Sequence, residues 1–287
     1  MLADEVSVDM YRKTLEDLTV HSTRHSFSSA YLDAARMAAD QFASLGYVVS
    51  EEPVAFGGRE TLNIVADKPG TALEDERRLV YVVAHLDSIN EAGGVDAPAP
   101  GADDNASGAA GVLEIARVLS GALMRNDLRL VMFGGEEQGL HGSRMHVAAL
   151  TDSERSRITM VVNMDMIGRR NTVAPSVLLE GATVSQPVID VLAQAAHDTS
   201  NLEVFISLDP FASDHVPFID ANLPAVLTIE GEDQLNIDEH TPRDTLAELD
   251  TPVAISILRM NTAAVAAMLG ASAERSDDDS KPGRDRK

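Results

Sequence analysis

Two aspartates stand side by side in the stretch PGADDNASG, Pro100 to Gly108. Adjacent carboxylates in a turn repel each other, and two readings explain why a chain would keep them. A hydrated surface loop is one, because acidic residues are common in exposed turns. A bound cation is the other, since a metal converts the repulsion into attraction. Other acids and histidines occupy comparable places. His85 and Asp87 close an apolar run in AHLDS, and Glu136 and Glu137 follow another in GGEEQG. Asp165 lies near the end of a third run in NMDMIG, and His240 lies in the loop IDEHTPRDT. Taken singly, each has a bland explanation: a histidine at a strand end is usually structural, and paired glutamates in a loop are usually solvated. Taken together they offer imidazole and carboxylate, the donors a zinc-type ion accepts where no thiolate is present.

The elements that must position these residues are legible as an alternation. TLNIVAD (61–67), RLVYVVAH (78–85), LRLVMFG (128–134), ITMVVNMDMIG (158–168) and PAVLTIE (224–230) read as strands. Most are continuously apolar, which predicts strands covered on both faces. Between them the spacing predicts helices over 28–45, from Asn105 to Ser120, from a cap at Ser185 with Pro187 in the first turn, and from Asp250 to Gly270. Alternating strands and helices predict a single-domain, three-layer α/β/α sandwich with a mainly parallel, mixed central sheet. Ligand sites in such folds form beyond the carboxyl ends of the strands, which is where the acids and histidines fall. Residues 1–272 are expected to form this domain, and the polar, charged segment 273–287 a disordered tail.

Composition narrows the function classes. The 287-residue chain is 44% apolar and 24% charged, the balance of a soluble globular protein. Its formal net charge of −23 argues against nucleic acid as a partner, because phosphate binding needs a basic face. Cysteine is absent, which removes disulfides, zinc-thiolate sites and cysteine nucleophiles together. The chain shows no apolar run of transmembrane length and no signal peptide, so a cytoplasmic protein and a trimmed secreted form are both compatible, and no membrane partner is expected. G-x-S-x-G, P-loop, G-x-G-x-x-G and H-E-x-x-H motifs are absent.

In order and spacing, AHLDS, PGADDNASG, GGEEQGLHGS, NMDMIG, SDHVPF and EHTPRDT closely resemble the co-catalytic dizinc aminopeptidases of the bacterial leucyl-aminopeptidase type, relatives of glutaminyl cyclase and glutamate carboxypeptidase. The likeness covers nearly all of residues 25 to 270. It implies that His85 and Asp165 hold one zinc, that Glu137 and His240 hold the other, and that Asp104 bridges them. Cobalt or manganese can share such ligands. Asp103 is then a neighbour, and Asp87 accepts the second ring N–H of His85. The resemblance also implies a cis peptide bond between Asp104 and Asn105, and leaves Glu136 free of metal as general base. The implied activity is removal of amino-terminal residues from peptides with a free N-terminus.

Three alternatives stand beside this expectation: a carboxypeptidase-type hydrolase, a glutaminyl cyclase, and a non-catalytic binding module on the same scaffold. One departure from the family pattern is visible. Some relatives carry a tyrosine before the SDH motif that can stabilise the oxyanion, whereas this chain reads LDPFASDH. Phe211 and Phe218 either line a side-chain pocket or pack in the core. HSTRH (21–25) reads as an ordinary turn, and the glycosylation triplet Asn105-Ala106-Ser107 as a false positive.

Overall fold

Eight strands pair into one sheet: β1 (Val48–Phe56), β2 (Arg59–Lys68), β3 (Leu79–His85), β4 (Asp127–Phe133), β5 (Ile158–Met164), β6 (Ser176–Glu180), β7 (Glu203–Ser207) and β8 (Ala225–Glu230). The computed structural model describes residues 1–272, so the expected tail lies outside the described residues. Strand order is β1-β2-β4-β3-β5-β8-β6-β7. The central run β4-β3-β5-β8 is parallel throughout, as is β6-β7, while β1-β2, β2-β4 and β6-β8 are antiparallel. This is the mixed sheet anticipated from the sequence. Its parallel centre matters most, because β3, β4 and β5 all end at the same edge.

The continuous apolar runs behave as expected of doubly covered strands. Every residue of β3 is buried. Val80, Val82 and Ala84 face a large core shared with the helices α1 (Val8–Thr19), α2 (Ser29–Ser44), α3 (Gly108–Leu119), α6 (Gln186–Thr199) and α8 (Thr251–Leu269). Leu79, Tyr81 and Val83 face a second core that includes Val147 of α4 (His141–Ala149) and Phe218 of α7 (His215–Asp220). A short helix, α5 (Asp152–Arg157), leads into β5. Each fully buried aliphatic side chain contributes about 1.5–3 kcal/mol, so the sheet is held from both faces.

Several expectations need correction. β1, β6 and β7 carry no continuous apolar run: β1 includes Glu51, Glu52 and Pro53, and β7 is a half-exposed edge strand. β1 and β7 are the two edges, which need only one partner and one covered face, so the apolar signal is weak there; β6 lies inside the sheet but is only five residues long. Ser185 stands at the start of α6, yet its hydroxyl donates to the Ala225 carbonyl (2.5 Å) rather than capping the helix. Phe218 is fully buried, which settles it as a core residue. Helix α8 is long and apolar enough to cross a membrane by length and composition, but 67% of its apolar window is buried against the rest of the fold.

The start of α3 shows how tightly the edge is built. Gly108 donates its N–H to Asn105 Oδ1 at 2.8 Å. A Cβ at this position would collide with that same oxygen and with the Met164 carbonyl at the end of β5. Gly108→Ala should therefore destabilise the fold by about 1–3 kcal/mol, the usual penalty of overpacking, as read from denaturant unfolding. Unchanged stability would mean that helix and strand can separate here at no cost.

Candidate metal centre

Three strand ends and two loops converge on one cleft. His85 is the last residue of β3, Asp165 follows β5 directly, and Glu136 and Glu137 stand three and four residues beyond β4. Asp104 lies in the turn Ala102–Ser107 that opens α3, and His240 in the loop between β8 and α8. His85 Nε2 lies 3.2 Å from Asp104 Oδ1 and 3.1 Å from Asp165 Oδ1. His240 Nε2 lies 3.0 Å from Asp104 Oδ2 and 2.9 Å from Glu137 Oε2. Two groups result, each with one imidazole nitrogen and two carboxylates, the ligand atoms of each lying within 4.8 Å of one another. Asp104 belongs to both and turns one oxygen toward each.

This donor set fits a divalent cation. Glu137 Oε1 is buried with no hydrogen-bond partner among the described residues, so that carboxylate has capacity left. Burial pushes the Glu137 carboxyl up to about 8, with Asp104 adding to the rise. Burial also lifts Glu136 well above the usual range; His85 opposes this, and Asp214 and Asp165 reinforce it. For Asp104, burial again acts upward, yet the imidazoles of His240 and His85 hold the carboxyl below its ordinary value. Burial alone would lower the imidazoles. The surrounding carboxylates reverse that, carrying His240 up to about 12 and His85 well above its normal value. Excess negative charge thus draws protons onto both rings, and a metal ion would take the place of those protons.

The loops are pinned by buried groups that face away from this cluster. Asp244 accepts the N–H of Asp103 on one oxygen (2.9 Å) and of Asp104 on the other (3.0 Å). Asp87 does the same for Glu136 (3.4 Å) and Glu137 (3.3 Å), and also accepts from Ser26 at 2.8 Å. The sequence places the Asp87 carboxylate on the second ring nitrogen of His85. In the structure the Asp87 main-chain carbonyl is nearer, 3.1 Å from Nδ1 against 3.6 Å for the carboxylate, because the carboxylate is occupied by the glutamate loop. Asp103 accepts from Gly168 N–H (2.8 Å) and Asn236 (2.9 Å), which turns it out of the cluster. Ser213 donates to Asp165 Oδ2 at 2.6 Å. The peptide bond between Asp104 and Asn105 is cis.

Peptidase family M28 matches residues 63–265, more than half of the chain. The chain belongs to this family. Aminopeptidase YwaD of Bacillus subtilis (strain 168) is 29% identical over 198 residues, 68% of this chain and 42% of that protein. The chain therefore spans less than half the length of that relative. The solved zinc aminopeptidase BSAP of Bacillus subtilis is 29% identical, with a TM-score of 0.65 over 77% of this chain and 53% of its own. The aminopeptidase of Aneurinibacillus sp. strain AM-1 shares the fold almost end to end: 96% of this chain, 98% of that one, a TM-score of 0.80 and 19% identity. The chain itself is a single mixed sheet between helices.

The five ligand candidates named from the sequence and the candidate base Glu136 line the cleft or reach into it, and Asp87 lies directly beneath the glutamate loop. Two supporting residues escaped sequence reasoning. Asp244 stood in the quoted motif EHTPRDT, where only His240 was singled out. Arg24 was hidden in HSTRH, read as a plain turn. It is fully buried, and its guanidinium donates to the carbonyls of Leu86 (2.9 Å), Leu18 (3.3 Å), Pro100 (2.6 Å) and Gly101 (2.9 Å). Leu18 belongs to α1; the other three acceptors belong to the loop after His85 and the turn before Asp104. Arg24→Met should lower stability by about 3 kcal/mol or more and weaken zinc uptake, whereas Arg24→Lys should recover part of both. Melting temperature and zinc titration read this out; full zinc affinity in a destabilised Arg24→Met would separate the guanidinium from the metal turn.

Proposed function

We propose that this M28 protein is a zinc-dependent aminopeptidase with two metal ions, residues 1–272 forming its catalytic domain. The observation that carries the reading is Asp104, whose two oxygens each meet one imidazole-centred group beside the unpaired carboxyl of Glu136. One ion would sit among His85, Asp104 and Asp165, the other among Asp104, Glu137 and His240. Zinc held there, or cobalt or manganese in its place, would acidify water and polarise the scissile carbonyl.

The chain's own residues do the rest. Glu136 takes a proton from the attacking water and returns it to the departing amine nitrogen, and burial raises its proton affinity toward that task. Asp87 fixes the main chain of both glutamates, so that Glu137 stays on His240 while Glu136 faces the cleft. The cleft encloses about 400 Å³ and is walled by Met166, Leu178, Leu227 and Ile229, with Glu180, Asp233 and Glu239 among its polar groups. No arginine or lysine lines it among the described residues, which disfavours a carboxypeptidase, since a free carboxylate would find no cationic partner. A protonated amino terminus finds carboxylates instead. Phe211 reaches the rim, 79% exposed.

Elemental analysis of purified protein should give two zinc ions per chain, and release of chromophore from leucine-anilide should stop on adding a chelator. Metal without release would point to another reaction on the scaffold, and neither would mark a binding module. Glu136→Gln should keep both ions and lose roughly 10²–10⁴-fold in kcat; retained turnover would reject Glu136 as base. Asp104→Ala should lose metal first and activity as a consequence. The acidic cleft and net charge predict slower turnover of Glu-initiated than of Arg-initiated peptides at low salt, with the gap narrowing as salt rises. Equal rates at low salt would remove that expectation.

A further inference from the structure

Away from the cleft, Arg12, Arg169, Arg170 and Arg259 line one open groove of about 970 Å³ in a chain whose net charge is −23. The groove runs between α1, the start of α8 and the segment after β5, and shares no residue with the metal cleft. Its two carboxylates are already engaged. Asp250 accepts the Val253 N–H at the start of α8, and Glu248 lies 3.7 Å from Arg169. Arg169 also donates to Asn236 (2.6 Å) and Asp238 (3.0 Å). The other three arginines touch no carboxylate among the described residues, Asp4 acting on Arg259 only through its charge. Arg170 reaches only the carbonyls of Thr172 and Val173, and Arg12 and Arg259 make no hydrogen bond or ion pair among the described residues. Arg259 Nε is buried with no acceptor among the described residues, a state that an arriving acceptor would relieve.

We propose that this groove binds a small organic anion carrying at least two phosphate groups. Guanidinium forks match phosphate oxygens in pairs, and each phosphate presents several acceptors and more than one charge. Two such groups satisfy Arg12, Arg170 and Arg259, which a single carboxylate cannot do. The space exceeds what the phosphates need, and Val8, Leu249, Pro252 and Ile255 give the rest an apolar wall suited to a ring or an alkyl body.

The test is titration calorimetry of zinc-loaded protein with ADP, pyrophosphate and citrate at one ionic strength, on wild type, Arg12→Gln and Arg12→Gln/Arg259→Gln. Phosphate taken up at the metal centre adds equally to all three proteins and cancels in the comparison. Saturable ADP binding below about 1 mM is expected in the wild type, weaker for pyrophosphate, with a loss of about tenfold in the double variant and a smaller one in Arg12→Gln. Melting curves establish that the variants are folded; if the double variant is not, Arg12→Gln alone carries the comparison. Binding that is absent, or equal in wild type and variants, would overturn the proposal. Citrate binding as tightly as ADP at the same arginines would overturn the phosphate assignment.

Discussion

Buried carboxylates outnumber buried cations at one edge of this sheet, and the arrangement of that edge follows from the need to satisfy them. Asp87, Asp103, Asp104, Asp165, Glu230 and Asp244 are all buried, and Arg24 is the one arginine buried with them among the described residues. Its guanidinium is taken by four main-chain carbonyls, so it lends charge to the region without pairing any carboxylate. An unpaired buried carboxylate is costly, and two ways of meeting that cost are visible. Asp87 and Asp244 each gather consecutive main-chain N–H groups, while Asp103 takes one N–H and one amide. Asp104, Asp165 and Glu137 meet only imidazoles or a hydroxyl. The first set holds backbone; the second faces the imidazoles and, on the proposed function, would hold cations.

The sheet explains why the second set meets at all. Parallel β3, β4 and β5 deliver His85, the glutamate loop and Asp165 to one edge in neighbouring positions. The acidic turn must then enter from the side, between strand end and helix start. Gly108 permits that approach by leaving room for the Met164 carbonyl, and Asn105 ties the same carbonyl through its amide at 3.0 Å. His240 arrives on a loop whose base is held by Arg169 through Asn236 and Asp238. The wall of the arginine groove and the loop of the candidate ligand therefore share one guanidinium.

The sequence was informative where one residue type has few explanations and silent where the partner is main chain. Strands β2, β3, β4, β5 and β8 were legible because most of their residues are apolar and buried, β3 without a break. β1 and β7 were not, since an edge strand such as β7, with Phe205 and Ile206 half exposed, obeys no such pattern, and β6 is too short, at five residues, to stand out. The same contrast holds in the cleft. Histidines and acids at strand ends announced themselves by type and spacing. Arg24 and Asp244 act on carbonyls and N–H groups, which every residue carries, so no pattern of side chains marks their targets. Helix α8 meets the length and apolarity of a membrane span, and its burial between sheet and neighbouring helices identifies it as core.

Adjacent glutamates with different surroundings show how local geometry divides similar groups. Glu136 and Glu137 have the same side chain and neighbouring N–H groups, both fixed by one aspartate. With the backbone pinned there, successive side chains diverge. Glu137 reaches His240 at 2.9 Å, whereas Glu136 turns into the cleft with no ion pair. Burial raises the proton affinity of both, but only Glu137 has imidazole within contact to offset it. On the proposed function, the buried, unpaired carboxyl would exchange a proton while its neighbour would hold charge in place. The asymmetry comes from Asp87, which touches neither carboxyl group.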